Sequence, residues 1–118
     1  MHSADQLKAQ LMSLQTESDR LSRQADILSH SAHSTCARIM AEPDVVEAEK
    51  RIIDAAARVN ELSQTTEAEM TDEKCYSEGL QRMQQVVREK TFILGRLNDA
   101  VLEELKVTDE DELMFEPK

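Results

Sequence analysis

Residues 36–48 read CARIMAEPDVVEA and decide the fold, because one proline there separates two apolar helical patterns. Proline disfavours helical geometry in the residue before it, and it suits the first turn of a following helix. Glu42-Pro43-Asp44 therefore predicts a tight corner at which one helix ends and another begins. Such a short connection usually makes the two helices antiparallel neighbours.

Before this corner, apolar or small residues recur in alternating steps of four and three residues. That spacing is the a/d heptad pattern of a coiled-coil helix, and it predicts a helix over about residues 3–41. The stripe consists of Leu7, Leu11, Leu14, Ser18, Leu21, Ala25, Leu28, Ala32, Thr35 and Ile39. Its small residues would let a neighbouring helix approach closely, although each contributes little apolar burial.

After the corner, a second stripe with the same spacing runs from Val45 to Leu62 and predicts a helix over about residues 44–66. This stripe is wide, because further apolar residues flank its a and d positions. The flanking residues are Val46, Ile53, Ala56 and Ala57. A wide apolar stripe buries against more than one neighbour, so this helix is expected to have more than one packing surface.

The heptad frame continues past Leu62 without a change of phase, but poorly suited residues such as Glu69 follow in it. One long helix over residues 44–106 fits this pattern. A loop near residues 65–72, followed by a helix over about residues 71–106, also fits it. The threonine and two acids at the start of that last segment are typical of a helix N-terminus, which slightly favours the loop.

A third stripe makes residues 80–105 the most apolar part of the chain. One helix over residues 44–106 would be about 95 Å long and the first helix about 60 Å, so the third stripe would stay uncovered and bind another chain. A third helix that folds back would instead bury the stripe within the chain. The predicted fold is all-α, a coiled-coil helical hairpin with a third helical segment, either a three-helix bundle or a long hairpin with an overhang.

Composition and charge exclude several classes of function. Aromatic residues make up 3% of the 118 residues, which disfavours a globule with a deep ligand pocket. The net charge is −10, and residues 42–70 contribute eight acids against three bases. Such a surface repels phosphate, so no nucleic acid is expected as a partner. No membrane insertion is expected either, because no run of about 18 apolar residues is present.

No motif in the sequence indicates catalysis. Cys36 lies near His30 and His33, but three scattered candidates fall short of the four ligands of a structural zinc site, so no metal is expected. Cys75 lacks the base and oxyanion site that a nucleophile needs, and no glycine-rich phosphate loop indicates a cofactor. The chain is therefore predicted not to be an enzyme. The two cysteines form no disulfide framework, which favours an intracellular location, cytoplasmic or nuclear.

Residues 107–118, VTDEDELMFEPK, differ in character from the rest of the chain. They are too few and too charged to form a core, so they are predicted to be an acidic disordered tail beyond a helical domain of residues 1–106. Two interpretations of the tail stay open. It is a terminus that aids solubility, or a motif in which Leu113, Met114 and Phe115 enter a groove of a basic partner.

The pattern as a whole favours a non-enzymatic structural or adaptor subunit that packs against helices of other proteins. Small helical subunits of cytoskeletal, kinetochore and vesicle-tethering assemblies share this layout, which is an analogy of architecture. Polar residues in the heptad frame, among them Ser18 and Lys90, would select the partner and the register. The expected interaction residues are Leu7, Leu11, Leu14, Leu21, Leu28, Leu80, Met83, Val87, Ile93, Leu94, Leu97, Val101 and Leu105. The alternatives are a small acidic helical chaperone for a basic or aggregation-prone client, and a homo-oligomeric coiled coil.

Overall fold

The computed structural model describes the backbone of residues 3–66 and 68–115, and the side chains of residues 4–66 and 68–105. Within these ranges the chain is helical and contains no β-strand, so the predicted all-α class is confirmed. The helices are α1, Ser3–Ser31; α2, His33–Met40; α3, Pro43–Ser63; and α4, Asp72–Phe115.

The first predicted helix is divided at Ala32, between α1 and α2. Ala32 has φ −140° and ψ 62°, which lies outside helical geometry. Its N–H still donates to Leu28 O at 2.8 Å, and the N–H of Cys36 donates to Ala32 O at 3.0 Å. The surrounding sequence is SHSAHST at residues 29–35, where serine and threonine side chains compete for backbone groups and lower helix propensity. Heptad spacing runs through this point unchanged and does not reveal the interruption.

Pro43 is the first residue of α3, at the corner that the sequence predicts. The N–H groups of Ala41 and Glu42 donate to carbonyl groups of α2, which closes that helix. The guanidinium of Arg96 in α4 binds the carboxylates of both Glu42 and Asp44. The hydrogen bond from Arg96 holds the pKa of the Asp44 carboxyl below its ordinary value. Arg96 thus holds the corner between α2 and α3 against α4.

A second break separates α3 from α4, so the chain adopts the loop rather than a single helix over residues 44–106. α3 ends at Ser63, and α4 begins at Asp72. The Oγ1 of Thr71 accepts a backbone N–H from the first turn of α4 at 3.3 Å. Asp72 and Glu73 occupy that first turn, where acidic groups complement the helix dipole.

α4 continues to Phe115, so the backbone of residues 107–115 is helical where composition predicts a disordered tail. No glycine or proline interrupts that stretch before Pro117, and the preceding helix continues into it. Side chains from residue 106 onward lie outside the described residues, as does the whole of 116–118. This also holds for the side chains of the predicted docking motif, Leu113, Met114 and Phe115, whose function stays a prediction.

α4 is the helix on which the other three pack. It runs parallel to α1 and α2, because contacts advance together along both: Lys90 meets Ser18, and Glu104 accepts the hydroxyl of Thr35 at 2.5 Å. The backbones of α1 and α3, in contrast, do not approach each other, although side chains of both helices join the same apolar cluster on α4. In the described part of the chain, no Cα atom of α1 lies within 8 Å of a Cα atom of α3.

Arginine–glutamate pairs join α3 to α4. Arg58 binds Glu78 through two hydrogen bonds of 2.5 and 2.9 Å, and Arg51 Nε donates to Glu89 at 3.0 Å. The residue numbers of these partners decrease along α3 as they increase along α4, so the two helices are antiparallel. The hydrogen bond from Arg58 lowers the pKa of the Glu78 carboxyl. Both side chains of this pair are partly exposed, and solvent screening therefore limits how much the pair stabilises the fold.

Two apolar clusters fill the interfaces with α4. One lies near the corner and includes Cys36, Val45 and Leu97. The other lies further from the corner and includes Met83 and Val86. Burial of such side chains contributes roughly 25 cal/mol per Å² of apolar surface removed from water. α4 supplies residues to both clusters, so its inward face is the centre of the core.

Gly79 and Gly95 both lie inside α4, but their surroundings differ. A Cβ atom at Gly79 would meet Leu11 Cδ2 at 3.4 Å and Leu62 Cδ1 at 3.9 Å. Side chains of α1 and α3 thus approach the backbone of α4 closely at this point. A Cβ atom at Gly95 would meet none of the described atoms within 4 Å. The two glycines therefore give a matched test of the packing.

We expect Gly95→Ala to raise the free energy of unfolding by about 0.5–1 kcal/mol, because alanine is the better helix former and displaces no neighbour. Gly79→Ala should gain more, because its methyl group would also make van der Waals contact with Leu11 and Leu62. Urea unfolding followed by far-ultraviolet circular dichroism measures both variants. An equal gain at the two positions would show that α1 does not pack closely on α4 at Gly79.

We expect Glu78→Gln to change how stability depends on acid. The pKa of Glu78 is lowered in the folded chain from its ordinary 4.5, so the stability that its pairing supplies is present above that value. That stability is lost as the pH falls through the lowered pKa. The difference in free energy of unfolding between wild type and Glu78→Gln should therefore be largest near neutral pH and should shrink in acid. Glu103→Gln, at an exposed position on α4, is the control and should show no such trend.

Candidate functional site

An open groove lies between α1 and α3, because each packs on α4 and no described Cα atoms of the two helices come within 8 Å of each other. The molecule measures 75 × 28 × 18 Å. A helix with its side chains is about 10 Å wide, so the thinnest dimension corresponds to two helices. α4 forms the floor of this groove, and α1 and α3 form its walls. We call it the α1–α3 groove.

The α1–α3 groove continues through three adjoining cavities of about 180, 600 and 80 Å³. Ile53 lines the first two cavities, and Gln15 and Val59 line the last two, so the three are continuous. On α1 the groove extends from Leu11 to Ala25, which is about 21 Å at 1.5 Å per residue. That length matches about four turns of an α-helix.

Apolar side chains form most of the lining at the Ala25 end of the groove. Leu21 contributes from α1, Ile93 from α4, and Ile52 from α3. Ile53 and Ala56, which lie on the outer side of the same stripe of α3, extend this lining toward solvent, and Ile53 is 65% exposed. The wide second stripe of the sequence therefore has one part packed on α4 and one part open in the groove.

Lys90 rises from α4 into the floor of the groove and binds two serines of α1. Its Nζ donates to Ser18 Oγ and to Ser22 Oγ, each at 2.7 Å, and to Ser18 O at 3.4 Å. An ammonium group has three donors, and all three are used here. Ser18 is itself buried. Burial lowers the pKa of the Lys90 ammonium, and the nearby carboxylate of Asp19 opposes that shift.

The Lys90 cluster fixes how α1 is aligned with α4. An apolar heptad seam tolerates a shift of seven residues, whereas a buried ammonium needs its acceptors at one position. The sequence marks Ser18 and Lys90 separately, as polar residues that would select a partner. In the structure they meet each other within the chain. Their selection of a partner chain stays a prediction.

Carboxylates flank the groove on both walls. Glu49 of α3 lines it directly. On α1, Asp19 lies three residues before Ser22 and Asp26 four after it, so both share the helix face of that groove residue. Asp26 and Glu49 form no ion pair with any side chain that the structure describes. By the same spacing, Lys8 lies three residues before Leu11 and Lys50 three before Ile53, and Lys50 pairs with Glu47 at 3.4 Å. Carboxylates therefore outnumber ammonium groups along the rim by three to two.

Most of the predicted interaction residues contact the chain's own helices. The buried ones are Leu21, Met83, Ile93, Leu94 and Leu97. The half-buried ones are Leu7, Leu11, Leu14, Leu28, Leu80, Val87 and Val101. Leu105 is exposed, at 56%. Leu11, Leu21, Met83 and Ile93 also line the groove. Binding of another chain through these residues stays a prediction.

The cysteines and histidines do not converge on one point. Cys36 and Cys75 are buried free thiols, and His30 and His33 are exposed. Among side chains that the structure describes, no group of three or more His, Cys, Asp or Glu residues is placed to hold a metal ion. A membrane-spanning length of apolar helix is likewise not found in the described segments.

The functional interpretation rests on the groove itself. Comparisons of the chain with protein-family models, with curated proteins and with solved structures found no match. The observations that remain are the length of the groove, its apolar lining, the excess of carboxylates along its rim and the polar cluster in its floor.

The sequence prediction missed the groove as a site, although one signal for it was available. Ile53, Ala56 and Ala57 give α3 more apolar surface than one neighbour covers. The direction in which this extra apolar surface faces depends on the angle between α1 and α3 around the axis of α4. Heptad spacing specifies which residues face a neighbouring helix but does not specify that angle. The groove therefore appears only in the assembled chain.

We expect Lys90→Met to be at least as stable as the wild-type chain at neutral pH, because burial opposes the charged lysine. Below the lowered pKa of Lys90, the lysine is charged in both the folded and the unfolded chain. Between that pKa and the ordinary 10.5, the folded chain loses the proton while the unfolded chain keeps it, so the cost of burying the charge disappears. The wild type should therefore gain stability relative to Lys90→Met across this interval in urea unfolding. Lys8→Met, at an exposed position, serves as control, and a constant difference for Lys90→Met would contradict burial of the charge.

Proposed function

We propose that this chain is a non-enzymatic structural or adaptor subunit that binds a helix of another protein in the α1–α3 groove. The observation that carries the proposal is the groove, which offers about 21 Å of apolar surface between two helices. A helix laid in it would cover Ile53 and Ala56, which α4 leaves open. Recognition of an amphipathic helix in an apolar groove uses side chains spaced three and four residues apart.

In this proposal the chain is an open three-helix bundle with coiled-coil seams, in which α1 and α2 act as one helix. The bundle is open between α1 and α3, where the chain supplies no fourth helix in its described part. A helix from a partner would occupy that position and complete a four-helix arrangement, a common closed packing of helices. The apolar seams of α1 and α3 hold the bundle together, and the groove side of each helix remains for the partner.

We infer the kind of assembly from an analogy of architecture. Small all-helical subunits that pack on other helices occur in cytoskeletal, kinetochore and vesicle-tethering complexes, and this chain would act in one of that type. The free thiols Cys36 and Cys75 suit a reducing compartment, the cytoplasm or the nucleus.

A second candidate, a small acidic helical chaperone, is supported by the internal core. Val45 and Leu97 are almost fully buried within the chain, which suits a stable monomer. A chaperone of this kind would hold a basic or aggregation-prone client in the groove and release it on folding. An adaptor would instead stay bound at a fixed ratio. Gel filtration of the purified complex separates the two, because only the adaptor elutes together with its partner.

We expect Ile53→Gln/Ala56→Gln to lose the partner while keeping the fold. Both positions are exposed, so the free energy of unfolding should change by less than about 0.5 kcal/mol. The two glutamines remove apolar surface and add bulk inside the groove. Affinity purification of tagged chains at endogenous level, followed by mass spectrometry, should identify a protein that wild type retains and this variant loses.

The matched control is Ile27→Gln/Leu102→Gln, which changes two exposed apolar residues that line none of the three groove cavities. This control should retain the same protein, and binding should then be reproduced with the two purified chains. Retention of every partner by Ile53→Gln/Ala56→Gln would show that the groove is not the binding site.

A further inference from the structure

We infer that the helix bound in the α1–α3 groove is a basic amphipathic helix of about four turns, supplied by a protein other than this chain. The inference rests on the proposed function and specifies the chemistry of the partner. Three properties of the groove carry it, namely its length, its apolar lining and the sign of charge along its rim.

The length and lining determine the contact face of the bound helix. The groove extends about 21 Å along α1, from Leu11 to Ala25, so about 14 residues of a helix fit within it. Ile53 and Ala56 in one wall and Met83 in the floor are apolar. A helix that fits must therefore present an apolar stripe over about four turns. Because Ala56 and Ala25 are small, this stripe can approach the walls closely.

The rim determines the charge on the flanks of the bound helix. Glu49 on one wall and Asp19 and Asp26 on the other place carboxylates on both sides of the apolar stripe. Lys90 is the one cation among the described residues that line the groove, and Ser18 and Ser22 occupy its donors. Lys8 and Lys50 share these helix faces, and Glu47 pairs with Lys50 at 3.4 Å, so the three carboxylates exceed the ammonium groups at the edges of the groove. Lysine and arginine beside the apolar stripe of the partner would match it.

The rim charges act mainly on specificity and on the rate of association. Asp26 and Glu49 are solvent-accessible, so salt screens each pairing with the partner over about 8 Å at physiological ionic strength. Complementary rim charges speed encounter and reject helices of the wrong sign, whereas the apolar stripe supplies most of the affinity. The net charge of −10 on the whole chain acts in the same direction.

A second copy of this chain matches the groove poorly. It carries the same net charge of −10. Its exposed apolar residues on α1, Met12 and Ile27, share that helix with Asp19 and Asp26. Docking α1 of one copy into the groove of another would bring acid against acid, which disfavours the contact.

Two designed peptides test the partner chemistry with the full chain. Each is a helix of about 24 residues with leucine and alanine on one face, long enough to be helical in water. One carries lysine and arginine beside that face, and its twin carries glutamate at the same positions. Fluorescence anisotropy should show that the basic peptide binds wild type at least about tenfold more tightly than its twin. Ile53→Gln/Ala56→Gln should weaken the basic peptide by about tenfold or more.

Charge reversal separates a recognised rim from general attraction to an acidic protein. Asp26→Lys/Glu49→Lys changes two rim carboxylates, and Asp99→Lys/Glu103→Lys makes the same change in net charge on α4 away from the groove. The rim variant should bind the basic peptide about tenfold more weakly and the acidic twin more tightly. The control variant should stay within about twofold of wild type, because Asp99 lies nine residues beyond Lys90 and so on the opposite face of α4.

Several results would overturn the inference. Equal affinity for the two peptides, or no binding of either, would remove the predicted preference for a basic helix. Equal losses in the rim and control variants would show attraction to net charge alone. A dimer in sedimentation equilibrium that Ile53→Gln/Ala56→Gln abolishes would assign the groove to a second copy. A cellular partner that needs the groove but binds Asp26→Lys/Glu49→Lys normally would refute only the partner chemistry, because the adaptor function would still stand.

Discussion

α1 and α3 each pack on α4 while their own backbones stay apart, and the rest of the structure depends on that arrangement. α4 has 44 residues and contacts α1 and α2 along one side and α3 along another. The arrangement also leaves the groove, since the surface between α1 and α3 has no neighbour within the described chain to cover it.

The two faces of α4 are aligned by different chemistry. On the α1 side, the ammonium of Lys90 needs Ser18 and Ser22 as acceptors, and this fixes the register in a partly buried place. On the α3 side, partly exposed arginine–glutamate pairs perform the same role, with Arg58 and Glu78 making the most complete contact. Apolar heptads alone would allow either helix to slide by one repeat. The polar groups prevent this sliding, although they contribute less apolar burial than leucine would at the same positions.

Much of the fold could be predicted because local rules control it. Pro43 dictates the corner, heptad spacing dictates which side chains of α1, α3 and α4 face inward, and Thr71 dictates where α4 begins. The interruption at Ala32 and the extension of α4 to Phe115 lie beyond those rules. They depend on small differences in helix propensity, which a heptad pattern does not record.

The candidate site was harder to predict, because it is a relation between helices that are distant in the sequence. Ile53 and Ala56 were visible as a surplus of apolar surface on α3, and Ser18 and Lys90 as polar positions in an apolar frame. Only the assembled chain brings Lys90 to Ser18 and leaves Ile53 uncovered. The structure thus adds an alignment within the chain at Ser18 and Lys90 and an open surface at Ile53, and selection of a partner by Ser18 and Lys90 stays a prediction.

The two interfaces of α4 also differ in the length of chain that must close to form them. Hydrogen-bonded side chains across α3 and α4 lie 20 to 52 residues apart, whereas those joining Lys90 to α1 lie 68 and 72 apart. Shorter closures lose less chain entropy and form sooner. We therefore expect the α3–α4 hairpin to assemble first and α1 to arrive last on a preformed surface.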